Sequence, residues 1–148
     1  MKKLFTLCLL TVIIGAIPAY AADSTNSNVQ EKIQNINPNT YQEIENIIFQ
    51  IQSNDPNLST DINNLKSEFI QNNLQISQIV QKPNVQALII DIIQQKNVRA
   101  QIYSLIQKSD VQDAINNLMQ DQDIQKAGNI LMSNKQISKY VTMTINNE

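Results

Sequence analysis

Four oxygen-bearing side chains stand at alternate positions in Asp55-Pro56-Asn57-Leu58-Ser59-Thr60-Asp61, the spacing at which a calcium loop presents ligands one, three, five and seven. Two requirements of that loop fail. Position six needs glycine and holds Thr60; position twelve needs a bidentate glutamate and holds Lys66. The segment is therefore read as an Asx turn leading into a helix cap. Asn57-Leu58-Ser59 is also a formal glycosylation acceptor, and Asp55 suits the bacterial form of it, but Pro56 departs from that pattern. Asp121 and Asp123 make a second acidic pair. With no histidine and no third carboxylate nearby, they read as turn and cap residues.

Glycoside hydrolysis needs two carboxylates across a cleft. Glu43, Glu45 and Glu68 are of the right type, but no aromatic platform for a sugar accompanies them. Nucleophilic catalysis needs a nucleophile beside a positioned base. The chain has no histidine, its one cysteine is Cys8, and no serine stands in a glycine-rich elbow or at a known spacing from lysine. The chain is read as non-enzymatic, with no catalytic, cofactor-binding or metal-binding residue assigned.

Residues 1–21 have the form of a secretory signal peptide. Lys2 and Lys3 supply the positive start, Leu4 to Ile17 is almost unbroken apolar sequence, and Ala19-Tyr20-Ala21 places small residues where signal peptidase reads them. The run is shorter than the ~20 residues a membrane anchor needs. Cleavage after Ala21 is expected, followed by a flexible linker over 22–27 and a helical domain over 28–148. The mature chain would be periplasmic or secreted. Cys8 would leave with the signal, so the domain uses no disulfide and depends on a packed core.

Without Lys2 and Lys3 the charges are nine basic and thirteen acidic, interspersed and with no basic block, which argues against a nucleic-acid partner. Asparagine and glutamine together number 39. They alternate with ordered apolar spacing, so they are ascribed to compositional drift and not to an aggregation-prone tract.

The second half of the mature chain repeats. Val85, Val98, Val111, Ile124 and Ile137 are each thirteen residues apart. The blocks that begin one residue earlier read NVQALIIDIIQQK, NVRAQIYSLIQKS, DVQDAINNLMQDQ, DIQKAGNILMSNK and QISKYVTMTINNE. Apolar residues gather at block positions two, five, six, nine and ten, one face of a helix. In a continuous helix thirteen residues advance about 220° beyond whole turns, so successive stripes would point apart. Separate helices of nine or ten residues joined by short polar turns are expected instead, with Asn84, Asn97, Asp110 and Asp123 as N-caps. The turns lack glycine and proline.

Before the array, short helices are expected from Asn28, from Thr40 (with Tyr41, Ile44, Ile48 and Ile51 as its stripe), over Asp61–Gln71 and over Leu74–Gln81, with a loop over Ser53–Ser59. The fold class is all-α: one domain of about eight short helices, with 84–148 as a helical repeat. The alternating Tyr140–Ile145 segment is the one place where a strand competes. The first regular helix is apolar nearly all round and should be central. Asp91 in it should be exposed and not paired with Arg99, and Gly128 should mark a close helix crossing.

Short helices opened by Asn or Asp, followed by an apolar residue and often Gln, resemble over 84–133 the helical repeats of the STI-type co-chaperone modules. Those repeats usually carry proline after the Asn or Asp, where this chain has valine or isoleucine. The resemblance implies a groove that cradles apolar helical segments of clients. Two functions are therefore expected in order. The first is an exported protein acting by protein–protein contact, in envelope maintenance or host interaction. The second is a periplasmic chaperone or carrier of apolar peptide or lipid.

Overall fold

The computed structural model describes residues 26–148 except position 72, and of Ile33 only the backbone; the expected signal peptide lies outside the described residues. Among the described residues there are nine α-helices and no strand, in one compact arrangement. They are α1 (Ser27–Gln34), α2 (Pro38–Asn54), α3 (Pro56–Ile70), α4 (Ile76–Val80), α5 (Pro83–Ile93), α6 (Lys96–Ile106), α7 (Ser109–Leu118), α8 (Gln122–Ser133) and α9 (Lys135–Ile145). The all-α expectation holds, and each thirteen-residue block forms its own helix.

The expected N-caps do not. The residues that enter each helix with extended backbone are Lys82, Gln95, Lys108, Asp121 and Asn134, two positions before the start of each block. They keep the thirteen-residue spacing. Only Asp121 and Asn134 accept first-turn amides with their side chains. Asn84, Asp110 and Asp123 instead sit one residue inside the helix and bond to other helices. Asn84 Nδ2 donates to Glu68 Oε1 (2.7 Å), Thr40 Oγ1 donates to Asp110 Oδ2 (3.1 Å), and Ser77 donates to Asp123 through both its hydroxyl and its amide. Asn97 is exposed.

The corners explain both the shift and the missing glycines. Gln94 and Gln107 close their helices in right-handed conformation (φ −69°, ψ −16° and φ −77°, ψ −15°), and Gln95 and Lys108 then turn extended. Among the described residues only Asn147 takes a positive φ, so no corner calls for glycine. The amides of Lys82, Gln95, Lys108, Asp121 and Asn134 each donate to the carbonyl three residues back. Block position three then reaches further. Gln86 Nε2 donates to Val80 O (2.9 Å), Arg99 to Ile93 O (2.9 Å), Gln112 Nε2 to Ile106 O (2.9 Å) and Gln125 Nε2 to Met119 O. In all four the span is six residues. At these four corners an orphan C-terminal carbonyl is thus satisfied by the first turn of the next helix.

The core is narrower than the sequence stripe. Positions two, six and nine are the most deeply buried: Val85, Val98, Val111, Ile124 and Ile137 are at most 1% exposed. Positions five and ten fall partly outside, with Leu88, Met119, Met132, Tyr140 and Ile145 only packed against the margin. As expected, α5 is central, in contact with α3, α4, α6 and α9. Gly128 is buried in α8, which packs on α4 and α9, without using positive φ; the absent side chain is what matters there.

Three boundaries differ from the sequence reading. The loop expected over Ser53–Ser59 shrinks to Asp55, which ends α2 and caps α3 by accepting from Asn57 N (2.9 Å) and Leu58 N (3.2 Å). Pro56 supplies the pre-set φ for the first position of α3. Tyr140–Ile145 lies in α9 and not in a strand, because Ile137, Val141 and Thr144 follow helical spacing and are the residues buried. Of the stretch 22–27 expected as a linker, the described residues are anchored. Asn26 is fully buried, donates to Phe69 O and Leu74 O (both 2.9 Å), and accepts from Asn28 N and Val29 N; Ser27 bonds Asn73.

Urea unfolding separates corner from stripe. Val98→Asp should destabilise by several kcal/mol, roughly 3 or more, because it buries an unpaired charge. Gln112→Ala should cost ~1 kcal/mol by orphaning the Ile106 carbonyl, whereas the exposed Gln107→Ala should stay within about 0.5 kcal/mol.

Candidate functional site

The residues that sequence singled out for chemistry are spread over the molecule. Asp55 is committed to capping α3, and Thr60 Oγ1 donates to Pro56 O (3.2 Å), so the calcium-like spacing lies inside a helical turn. Asn57 is exposed but Leu58, inside the acceptor triplet, is 2% exposed in the core. Glu43, Glu45 and Glu68 line three different depressions, so they do not form a catalytic pair across one cleft. Among the described residues no group of three or more His, Cys, Asp or Glu is placed to hold a metal ion, and no helix is long and apolar enough to cross a membrane.

Asp121 is the cap that the acidic pair was expected to supply, whereas Asp123 lies in the first turn of α8 and does not cap it. Asp121 accepts from Ile124 N (3.1 Å) and pairs with Lys32 of α1. Burial pushes its pKa up, but Lys32 and the amides of Ile124 and Asp123 outweigh this and hold it below the usual carboxylate range. Asp123 secures Ser77 of α4. Asp91 is exposed and not paired with Arg99, as expected, while Arg99 is buried, which the sequence reading did not foresee. The Arg99 guanidinium is spent on the carbonyls of Ile93 and Gln94 (2.7 Å) and the main-chain oxygen of Glu148 (3.1 Å), with the Tyr140 ring 5.5 Å from its centre.

Three surface features among the described residues stand out. One, about 750 Å³, lies where the α1–α2 turn meets the start of α2 and one side of α7. Asn35, Asn37, Asn39 and Asn117 supply amides to its wall, and Glu43, Asp110 and Asp113 supply carboxylates. Much of this is already engaged. Asn37 caps α2 through Asn39 N, Asp110 holds Thr40, and Glu43 pairs with Lys108 at 3.5 Å. The second is a cleft of about 270 Å³ between α2 and α3, with Glu45 and Lys66 in its wall. Burial lowers the Lys66 pKa, and Glu45 partly restores it. Phe49 stands at its edge, 69% exposed, the one large hydrophobic side chain left outside among the described residues. The third is a groove of about 420 Å³ between α3 and α5. Sequence missed all three, because each joins residues from separate helices; Phe49 alone was legible, lying off the Tyr41–Ile44–Ile48–Ile51 stripe.

The Lys32–Asp121 pair gives a pH test. A carboxylate with depressed folded pKa stabilises above the unfolded value of about 3.9 and loses that contribution as pH falls through the folded value. Asp121→Asn keeps a capping side chain but removes the charge. It should lower stability at pH 7 by roughly 1 kcal/mol or less, both partners being partly exposed. The gap to wild type, followed by thermal melts, should close by about pH 2.

No family model matches this chain, and neither a curated protein nor a solved structure is similar to it at a significant level.

Proposed function

We propose that the chain is exported and acts, without catalysis, by contact with another protein. The observation that carries this is the placement of Phe49. The apolar stripes of the array are packed on one another, and one aromatic ring is left on a polar surface beside a cleft with amide and charged walls. An aromatic anchor ringed by polar groups is the usual anatomy of an interface hot spot. Export rests on Lys2, Lys3, the apolar run and Ala19-Tyr20-Ala21. The chaperone or carrier reading would require the array's stripes to open, since their second positions lie at most 1% exposed.

Two measurements test the proposal. N-terminal sequencing of the periplasmic or secreted protein should begin at Ala22; intact protein beginning at Met1 in the membrane fraction would refute export by cleavage. For contact, a photo-crosslinking benzoyl-phenylalanine is placed at Phe49 and, as control, at exposed Asn116. A discrete adduct of constant mass should form from position 49 in the native envelope or medium and not from 116. Phe49→Ala should leave stability within about 0.5 kcal/mol, so loss of an interaction in that variant would not reflect unfolding. Adducts equal at both positions, or none, would count against the reading.

A further inference from the structure

Helices α2 and α3 have only Asp55 between them and fold back along one another, and residues of both line the cleft of about 270 Å³. Gln52 Nε2 of α2 donates to Asn63 Oδ1 of α3 (3.1 Å), which sets the register of the pair. Three residues further from the corner on each helix, ~4.5 Å along the axis, stand Phe49 and Lys66. An exposed ring and a cation therefore share one level of the cleft. That cation differs from the others held below the surface. Lys32 and Lys82 are half-buried, as Lys66 is, but each has a carboxylate, Asp121 and Glu68, and buried Arg99 has main-chain carbonyls. Lys66 makes no ion pair among the described residues. Glu45 lies in the same wall without pairing with it, and burial lowers the Lys66 pKa by more than Glu45 restores. Gln42 Nε2 donates to Asn46 Oδ1 (3.1 Å), so the α2 wall is held by its own side chains.

We propose that the α2–α3 cleft docks a segment of the partner protein in which an acidic residue adjoins an aromatic one, its carboxylate accepting from Lys66 Nζ and its ring packing on Phe49. Charge complementarity selects this occupant. The cation at the level of the ring lacks an anion, and a carboxylate brought to a partly dehydrated ammonium makes a charge-assisted hydrogen bond. A second aromatic ring covers Phe49 in offset or edge-on contact. The site rests on the protein-contact reading and adds the chemistry of the partner.

The probe is a fluorescein-labelled peptide with two glutamate–phenylalanine pairs flanked by glycine and serine, titrated by anisotropy against the mature protein at physiological salt. Saturable one-to-one binding is expected. The protein is itself net acidic, so diffuse attraction opposes this peptide and cannot account for its binding. Lys66→Gln should weaken binding about fivefold, and Lys66→Arg should retain it. Phe49→Ala should weaken it about tenfold. Glu45→Gln removes a repelling carboxylate and should tighten it about twofold. Lys126→Gln, on the exposed surface of α8, should leave it unchanged, and a lysine–phenylalanine peptide should bind about tenfold more weakly. Circular dichroism confirms that each variant is folded. The proposal is overturned by absence of saturable binding, by an equal loss at Lys126, or by a lysine–phenylalanine peptide that binds as tightly, which would make the occupant basic or indifferent to charge. If the acidic peptide fails while the adduct at position 49 forms, the partner chemistry is wrong and the contact reading stands. If the peptide binds and no adduct forms, the cleft keeps its acidic–aromatic preference and the contact reading fails.

Discussion

A side chain that reaches back six residues to the carbonyl of the helix before it is the contact on which the array depends. Gln86, Arg99, Gln112 and Gln125 all make it. A helix end leaves carbonyls without partners, and burying them unpaired is costly. In many proteins a glycine in left-handed conformation resolves the problem. Here the following helix does so from its own first turn, which lets two residues of ordinary backbone make the corner. It also fixes the angle between neighbours, because the donor sits at a set place on the next helix. With the corner secured this way, block position one is free of capping and ties the array to α2, α3 and α4 through Asp110, Asn84 and Asp123.

Much of this was legible from period alone. Thirteen residues cannot keep one face in a continuous helix, so Val85, Val98, Val111, Ile124 and Ile137 called for five helices, and five are present. The caps were not legible, because asparagine and aspartate serve equally as caps and as first-turn residues that favour the positive end of a helix. Only the position of Gln86, Arg99, Gln112 and Gln125 relative to the preceding carbonyls separates the two registers. Ser53–Ser59 misled for a similar reason: polar residues and proline mark both a loop and the start of a helix, and Asp55 ends one helix while beginning the next.

The surface was less legible still. Glu68 and Asn84 are sixteen residues apart in sequence and meet because α3 and α5 pack together. Nothing local in either segment announces that contact. The core side of α5 obeys hydrophobic periodicity, which reports on burial and is silent about what the opposite face meets. Arg99 shows the converse. Its separation from Asp91 was legible, but not its burial, where main-chain oxygens and an aromatic ring surround the guanidinium.

The last block folds back on the first. Helix α9 packs against α5 and α6 as well as α8, and Arg99 grips the main chain at Glu148. An open solenoid can lengthen by adding units, because each touches only its neighbours and its ends carry special terminating repeats. Here the two ends of the array terminate one another. The same closure makes the array a single cooperative body, in which loss of the last helix uncovers the central one.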